Sequence, residues 1–477
     1  MSIVIIGASH AGVSAARTIR KTQPDVQITI IEQKADIAFI SSTIAMQAAG
    51  VVADLAQTVY ITEAGIAKLD IDLRLDSRVT NVDAQKQVVH YVHDNTNQTL
   101  AFDQLIIATG STTFDLPIQG FNEKRVLPVK TLADGRQIEH LLATPSKVAV
   151  LGGGYAGLEI SYGLSKNHDV TLIERLPHLG MAYYDAPMID LLEGHFADDG
   201  IQILTNTSVG AITPLENGLH LAGDNLDLDV DYLVVTGNIR PNEALLPLTD
   251  DFDTRQLKFS DAPIYVIGDA GVSQSGVNAT QRVNIMLAAK AVRQGEFVAY
   301  HMLDDTLRYA GDQGSSMSRF GDLIVASVGQ TFAATQQQIP DAKLITLSDL
   351  ANEVIDVLQT ENKTTISVVT DATGKVYGAQ IISKSAHIAG LVDVFSLAIQ
   401  TGVKLPELAF SDFAFSPFLN TPFNPIHLVA QQYLHDVTVD WLYKILEVGH
   451  NPISRILLYN MIYNNDIIMT VIKQKEG

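Results

Sequence analysis

One pattern occurs twice in this chain and restricts its fold more than any other feature. The apolar run Met1 to Ile6 leads into Gly7-Ala-Ser-His-Ala-Gly12, then a predicted helix over Val13 to Lys21. A second apolar strand, Val26 to Ile31, ends at Glu32. The same grammar returns at Lys147 to Leu151, Gly152-Gly-Gly-Tyr-Ala-Gly157, a helix from Leu158 to Lys166, and a strand from Val170 to Ile173 that ends at Glu174. The offset from Gly7 to Gly152 is far longer than a solenoid repeat and suits two homologous domains. Each unit closes on an apolar strand that enters a Thr-Gly turn, Leu105-Ile-Ile-Ala-Thr-Gly110 and Leu233-Val-Val-Thr-Gly237. A third such strand, Ile264 to Gly268, leads into Asp269, and a helix is expected from Val283 to Met302.

A pyrophosphate needs backbone N–H donors at a helix N-terminus with no side chains in the way. Glycines permit that approach, and the helix dipole favours the negative charge. Gly152-x-Gly154-x-x-Gly157 meets the full pattern; in the first turn Ser9 stands where the middle glycine belongs. Glu32 and Glu174 follow at the distance expected of acids that bind a ribose 2′-hydroxyl. A 2′-phosphate would be repelled, so Glu174 favours NADH over NADPH, although the adjacent Arg175 could pair with a phosphate. Two dinucleotides in one chain imply an electron relay between a tightly held flavin and a transient nicotinamide. Asp269 is placed to accept hydrogen bonds from a flavin ribityl chain.

After about residue 315 the grammar changes. Leu323 to Val328, Thr364 to Val369 and Val376 to Ile382 read as antiparallel strands, with Asp371-Ala-Thr-Gly374 as a hairpin turn. Ala386 to Thr401 and Ile426 to Tyr433 read as helices. The expected fold is therefore α/β, with two Rossmann-like domains and a C-terminal α+β domain. In the remaining stretch, 434–477, Trp441, Ile445 and Val448, then Ile453, Ile456 and Leu457, fall at helical spacing around Pro452. Packing within the protein or its dimer explains such a face; weak contact with a membrane surface is the alternative.

Composition narrows the chemistry. The 477 residues carry 32 Lys+Arg against 53 Asp+Glu, a net charge of −21, which opposes binding to nucleic acid phosphates. No apolar stretch reaches the roughly 20 residues that a spanning helix needs. No basic, apolar-cored signal segment opens the chain, and a cytoplasmic location is expected. The 13 His are scattered without metal-ligand spacing, so no metal site is expected. There are no cysteines, which removes disulfides, thiolate metal sites and any dithiol redox pair.

The motifs together resemble the FAD-dependent pyridine nucleotide–disulfide oxidoreductases, specifically the NADH oxidase and NADH peroxidase branch. The resemblance rests on the two glycine turns, Ala108-Thr-Gly110, Gly237-Asn-Ile-Arg-Pro241, Gly268-Asp269, Gly378-Ala-Gln-Ile-Ile-Ser383 and Phe413-Ala-Phe-Ser-Pro417. It implies an FAD-binding domain over residues 1–112 and 240–314, an NADH-binding domain over 113–239 and a dimerisation domain over 315–433. Residues 434–477 would be an extension. FAD would be held by Gly7, Ser9, Gly12, Glu32, Ala108, Thr109, Gly110, Lys130, Asp269, Leu287 and Ala288. NADH would be held by Gly154, Tyr155, Glu174, Tyr183, Gly237 and Gly329, with Tyr155 as a gate that swings aside for nicotinamide. The helix containing Ala288 would aim its dipole at the flavin pyrimidine ring.

The departure from the family lies at Ser42. Phe39-Ile-Ser-Ser-Thr43 matches the segment that carries a redox-active cysteine beside the flavin. A serine oxygen has no oxidation ladder comparable to that of sulfur, so peroxidase chemistry and a cysteine-assisted route to water lose their basis. His10 and Ser42 are the candidate catalytic residues: His10 would hydrogen-bond Ser42 or deliver a proton at the flavin. The expected activity is NADH oxidation with oxygen reduced to hydrogen peroxide, in a homodimer implied by the resemblance of the third domain. The alternatives are an NADH:quinone or other acceptor reductase and a non-catalytic flavin/NADH sensor.

Overall fold

The computed structural model describes residues 1–242, 245, 248–351, 363–416 and 420–448, with side chains to residue 439. Strand β1 (Ser2–Ile6) and helix α1 (His10–Thr22) are followed by β2 (Gln27–Ile31). β1 pairs in parallel with β2, Ile3 opposite Ile28 and Ile6 opposite Ile31. Ile3, Val4 and Ile5 are no more than 1% exposed, as expected of a parallel strand covered on both faces. Each such side chain contributes about 1.5–3 kcal/mol by burial.

Helix α2 (Thr43–Ala48) follows, then strand β3 (Gln104–Ile107), which pairs in parallel with the other edge of β1. The second unit has strand β4 (Lys147–Leu151), helix α3 (Tyr155–Leu164), β5 (Asp169–Ile173) and β6 (Tyr232–Val235). β4 lies between β5 and β6, in parallel with both, as β1 lies between β2 and β3. β7 (Ile264–Val266) returns to the first sheet beside β3. That sheet has seven strands and the second has five.

Helix α4 (Ala288–His301) packs against α1 through small residues. A Cβ at Gly295 would stand 2.5 Å from Ala11 O and 3.0 Å from Ser14 Cβ, so only glycine allows this approach. The expected helix from Val283 begins five residues later. Val283 is instead a strand residue paired with Ser273, and Leu287 is extended at the N-cap (φ −122°, ψ 139°). A hairpin, β8 (Ser316–Phe320) and β9 (Leu323–Gly329), ends this part of the chain.

The chain forms two compact units, divided between Gly329 and Gln330. In the second, β10 (Lys343–Ala351), β11 (Lys363–Thr370) and β12 (Val376–Ser383) are antiparallel. The Asp371–Gly374 turn forms as expected: Asp371 Oδ1 accepts from the N–H of Thr373 (2.8 Å) and Lys375 (3.1 Å), and Gly374 takes φ +81°. The helix expected over 386–401 is two helices, α5 (Ala386–Ala389) and α6 (Val392–Thr401), because Gly390 and Leu391 interrupt it. α7 (Pro425–Val448) is longer than the expected 426–433.

Trp441, Ile445 and Val448 fall in α7, but their side chains lie outside those described, as do Pro452, Ile453, Ile456 and Leu457 altogether. Among the described residues no helix is long and apolar enough to cross a membrane, and no cluster of ligating side chains could hold a metal ion.

Candidate active site

The two glycine turns are built alike. Gly7 adopts φ +110° and Gly152 φ +107°, both in the region that glycine enters without strain. A Cβ at Gly12 would lie 1.9 Å from Gly7 O; one at Gly157 would lie 1.7 Å from Gly152 O. The third glycine of each turn thus lets the helix start against the strand end. Ser9 and Gly154 are the extended N-caps of α1 and α3, and neither uses a side chain to cap its helix. The first-turn N–H groups are left facing outward for an anion.

Both acids do the same work. Glu32 Oε2 accepts from Ala8 N at 2.7 Å and Oε1 from Lys34 N at 3.0 Å. Glu174 Oε2 accepts from Gly153 N at 2.6 Å and Oε1 from Leu176 N at 2.7 Å. Each carboxylate ties the glycine turn to its own strand end. Each oxygen keeps lone-pair capacity for a ribose hydroxyl. Arg175 is exposed.

Around the first turn the structure gathers most of the expected residues. Ala108 N donates to Ile6 O (2.8 Å), which brings Ala108, Thr109 and Gly110 beside Gly7. Lys130 Nζ and Asp269 Oδ2 are 3.3 Å apart, and Ser111 joins them: it donates to Asp269 (2.5 Å) and accepts from Lys130 (2.7 Å). Sequence reasoning missed Ser111, although it directly follows Thr109-Gly110. The turn carrying Asp269 is clamped from below. Lys290, 2% exposed, donates to Gly268 O and Gly271 O, each at 3.1 Å, and Gln294 Oε1 accepts from Gly268 N at 2.8 Å. Gln294 donates in turn to Asp312 (3.1 Å), which Arg293, Tyr309 and Ser273 also bond. Burial lowers the Lys290 ammonium pKa, against the opposing effect of Asp312 and Asp269. No sequence motif signalled this buried network. Leu287 and Ala288 stand at the start of α4, the end whose dipole is positive.

The candidate catalytic pair is not joined. His10 Nδ1 lies 3.3 Å from Ser9 Oγ, and the imidazole ring rests on Tyr60 with centroids 5.1 Å apart. Burial lowers the His10 pKa; Asp269 raises it and Lys130 lowers it further. Ser42 is exposed at the N-cap of α2 and its hydroxyl makes no capping bond. Among the described residues no hydrogen bond joins His10 to Ser42. The segment before Ser42 is nonetheless held at the first turn, since Ala38 N donates to Ala8 O at 2.9 Å.

Around the second turn, Tyr155 is the first residue of α3 and its ring stacks on Tyr183 at 4.0 Å and 25°. Thr236 Oγ1 bonds Leu151 O (3.0 Å) and Gly152 O (3.1 Å), which brings Gly237 (φ +77°) beside this turn. Gly329 ends β9 at φ +79°, two residues beyond Ser327, which contacts the Tyr155 hydroxyl at 3.2 Å.

Two anion-ready turns on separate sheets, each backed by an acid bonded to its own turn, define a protein that handles two dinucleotides. The lining fits both groups: the glycines leave room against the helix ends, and Lys130, Ser111 and Asp269 offer donors and acceptors beside the first. The chain matches the family "Pyridine nucleotide-disulphide oxidoreductase" over residues 1–295 and that family's dimerisation domain over residues 316–424. It belongs to the pyridine nucleotide-disulphide oxidoreductases. It is 27% identical over 452 residues to an NADH oxidase of Enterococcus faecalis, covering 92% of this chain and 100% of that one. An NADH oxidase of Methanocaldococcus jannaschii is 26% identical, over 91% of this chain and 99% of that one. The water-forming NADH oxidase of Lactobacillus brevis, solved bound to NADH, superposes with a TM-score of 0.86 at 27% identity, over 92% of this chain and 99% of that one.

Proposed function

We propose that this chain is an FAD-dependent NADH oxidase that forms hydrogen peroxide rather than water, consuming one NADH and one proton for each oxygen. The observation that carries this is the absence of any cysteine from the 477 residues; by the resemblance, Ser42 would stand where the family has its thiol. When bound, FAD supplies hydride acceptance from NADH and two-electron reduction of oxygen. The chain's residues bind, orient and manage protons. The first turn and Glu32, with Ala108, Thr109, Gly110, Lys130, Asp269, Leu287 and Ala288, would hold FAD. Gly154, Tyr155, Glu174, Tyr183, Gly237 and Gly329 would hold NADH. His10, neutral at physiological pH by virtue of its burial, would relay the proton that accompanies oxygen reduction. Ser42 would take no part in electron transfer.

Glu174 supports a preference for NADH, because a carboxylate held at the second turn would repel a 2′-phosphate. The match to a dimerisation domain supports a homodimer. We assign residues 1–112 and 240–314 to FAD, 113–239 to NADH and 315–433 to dimerisation, and place the protein in the cytoplasm.

An oxygen electrode tests the product. Catalase added after NADH is exhausted should return half of the consumed oxygen, with one NADH oxidised per oxygen. No oxygen return and a ratio of two NADH per oxygen would refute peroxide formation.

A further inference from the structure

The hairpin β8–β9 grips the first two turns of α3 through hydroxyl groups. Along a strand, alternate residues share a face at about 6.8 Å per pair, and along a helix residues four apart do so at about 6 Å. Ser316 and Ser318 on β8 therefore match Tyr155 and Glu159 on α3. Ser316 Oγ donates to the Tyr155 hydroxyl at 2.6 Å, and Ser318 Oγ to Glu159 Oε1 at 2.8 Å. Ser327, directly opposite Ser316 on β9, completes a triangle of hydroxyls at 3.1 Å from Ser316 and 3.2 Å from Tyr155.

The ring thus anchored is one half of a stack whose other half covers the second turn. A Cβ at Gly154 would lie 3.8 Å from both Cε2 and the hydroxyl oxygen of Tyr183. Gly154 is the glycine whose open face a pyrophosphate must approach. The Tyr183 half of the pair therefore lies against the face of Gly154 that a dinucleotide would take. Tyr183 is 38% exposed, whereas Tyr155 is held at its hydroxyl.

We propose that Ser316 and Ser327 are positioning residues that pin the Tyr155 hydroxyl, keep its ring stacked on Tyr183 over the second turn, and so set the affinity for NADH. Any ligand that needs a minor arrangement binds more weakly by the fraction of molecules in that arrangement. Removing the hydroxyls also leaves the Tyr155 hydroxyl without these partners in the closed arrangement, which favours the open one. The inference rests on assigning NADH to the second turn.

The test uses the flavin-loaded, full-length protein and NAD+ as a redox-silent probe, titrated by calorimetry, alongside the KM for NADH. Wild type, S316A/S327A, Y155F and the triple variant are compared, each checked for flavin retention. S316A/S327A should lower the Kd for NAD+ and the KM for NADH by about two- to tenfold, the range for loss of a hydrogen bond, with a smaller change in kcat. Y155F should do the same, and adding the serine substitutions to it should change nothing further. Unchanged or weakened binding in S316A/S327A overturns the proposal, as does the same tightening persisting in the Y155F background. Glu174→Ala reads the site assignment separately: undiminished NAD+ affinity there refutes NADH at this turn, whatever the serine variants do.

Discussion

Ser42 bears on the proposed peroxide outcome, because no cysteine stands anywhere in the 477 residues. The hydroxyl is exposed, caps nothing and bonds no catalytic group. Ser42→Cys should therefore lower the fraction of oxygen released as peroxide, because a thiolate can be oxidised by peroxide and reduced again at NADH's expense. An oxygen electrode with catalase reads this directly, and an unchanged peroxide yield would show that the position does not face the flavin. His10 is a different case. It is held by Ser9 and Tyr60, with burial lowering its pKa. His10→Ala should reduce kcat by about 10²-fold, the lower end of the range for a proton-transfer group, with flavin retained. Full turnover in that variant would make His10 a packing residue. The sequence nominated both residues as catalytic and offered a bond between them as one of two roles for His10; among the described residues no such bond forms. His10 bonds Ser9, its neighbour in the chain, whereas Ser42 stands at the N-cap of another helix.

The element that matters most is the glycine turn with its helix, and the two copies can be separated experimentally. Gly12→Ala places a Cβ 1.9 Å from Gly7 O, and Gly157→Ala places one 1.7 Å from Gly152 O. Both force the helix away from its strand. Gly12→Ala should yield protein depleted of flavin, seen as loss of the yellow absorption. Gly157→Ala should keep the flavin and raise the KM for NADH by about tenfold or more. The opposite assignment, NADH binding lost in Gly12→Ala with flavin intact, would exchange the roles of the two turns. Element ends were less legible than element identities. The predicted helix from Val283 failed at its start because Val283 to Leu287 read as helical by apolar content, yet pair and extend to meet the Asp269 turn. The interruption at Gly390 and Leu391 was also invisible to periodicity.

At the scale of the whole molecule, acid should weaken the fold through buried imidazoles. Burial lowers the pKa of His10, His168 and His301, the last only 2% exposed and stacked on Phe297 at 5.4 Å. A depressed pKa favours the neutral form in the folded state. Its contribution is present above the ordinary value of about 6.5 and is lost as pH falls from there through the folded value. The melting temperature should therefore drop between about pH 7 and pH 5, and His301→Phe should shallow that drop. An identical acid profile in the variant would remove His301 from the account. What the sequence by itself determined was the pair of dinucleotide units, their acids, the antiparallel C-terminal strands and the missing thiol. These are local facts, written in periodicity, in glycines that must face a backbone oxygen, and in the absence of sulfur. Only the tertiary structure decided that Ser111 joins Lys130 to Asp269, that Lys290 and Gln294 clamp the turn beneath it, and that Ser316 and Ser327 reach Tyr155. Those contacts cross long stretches of chain, and a hydroxyl or ammonium carries no mark in sequence of the distant partner that folding will bring to it.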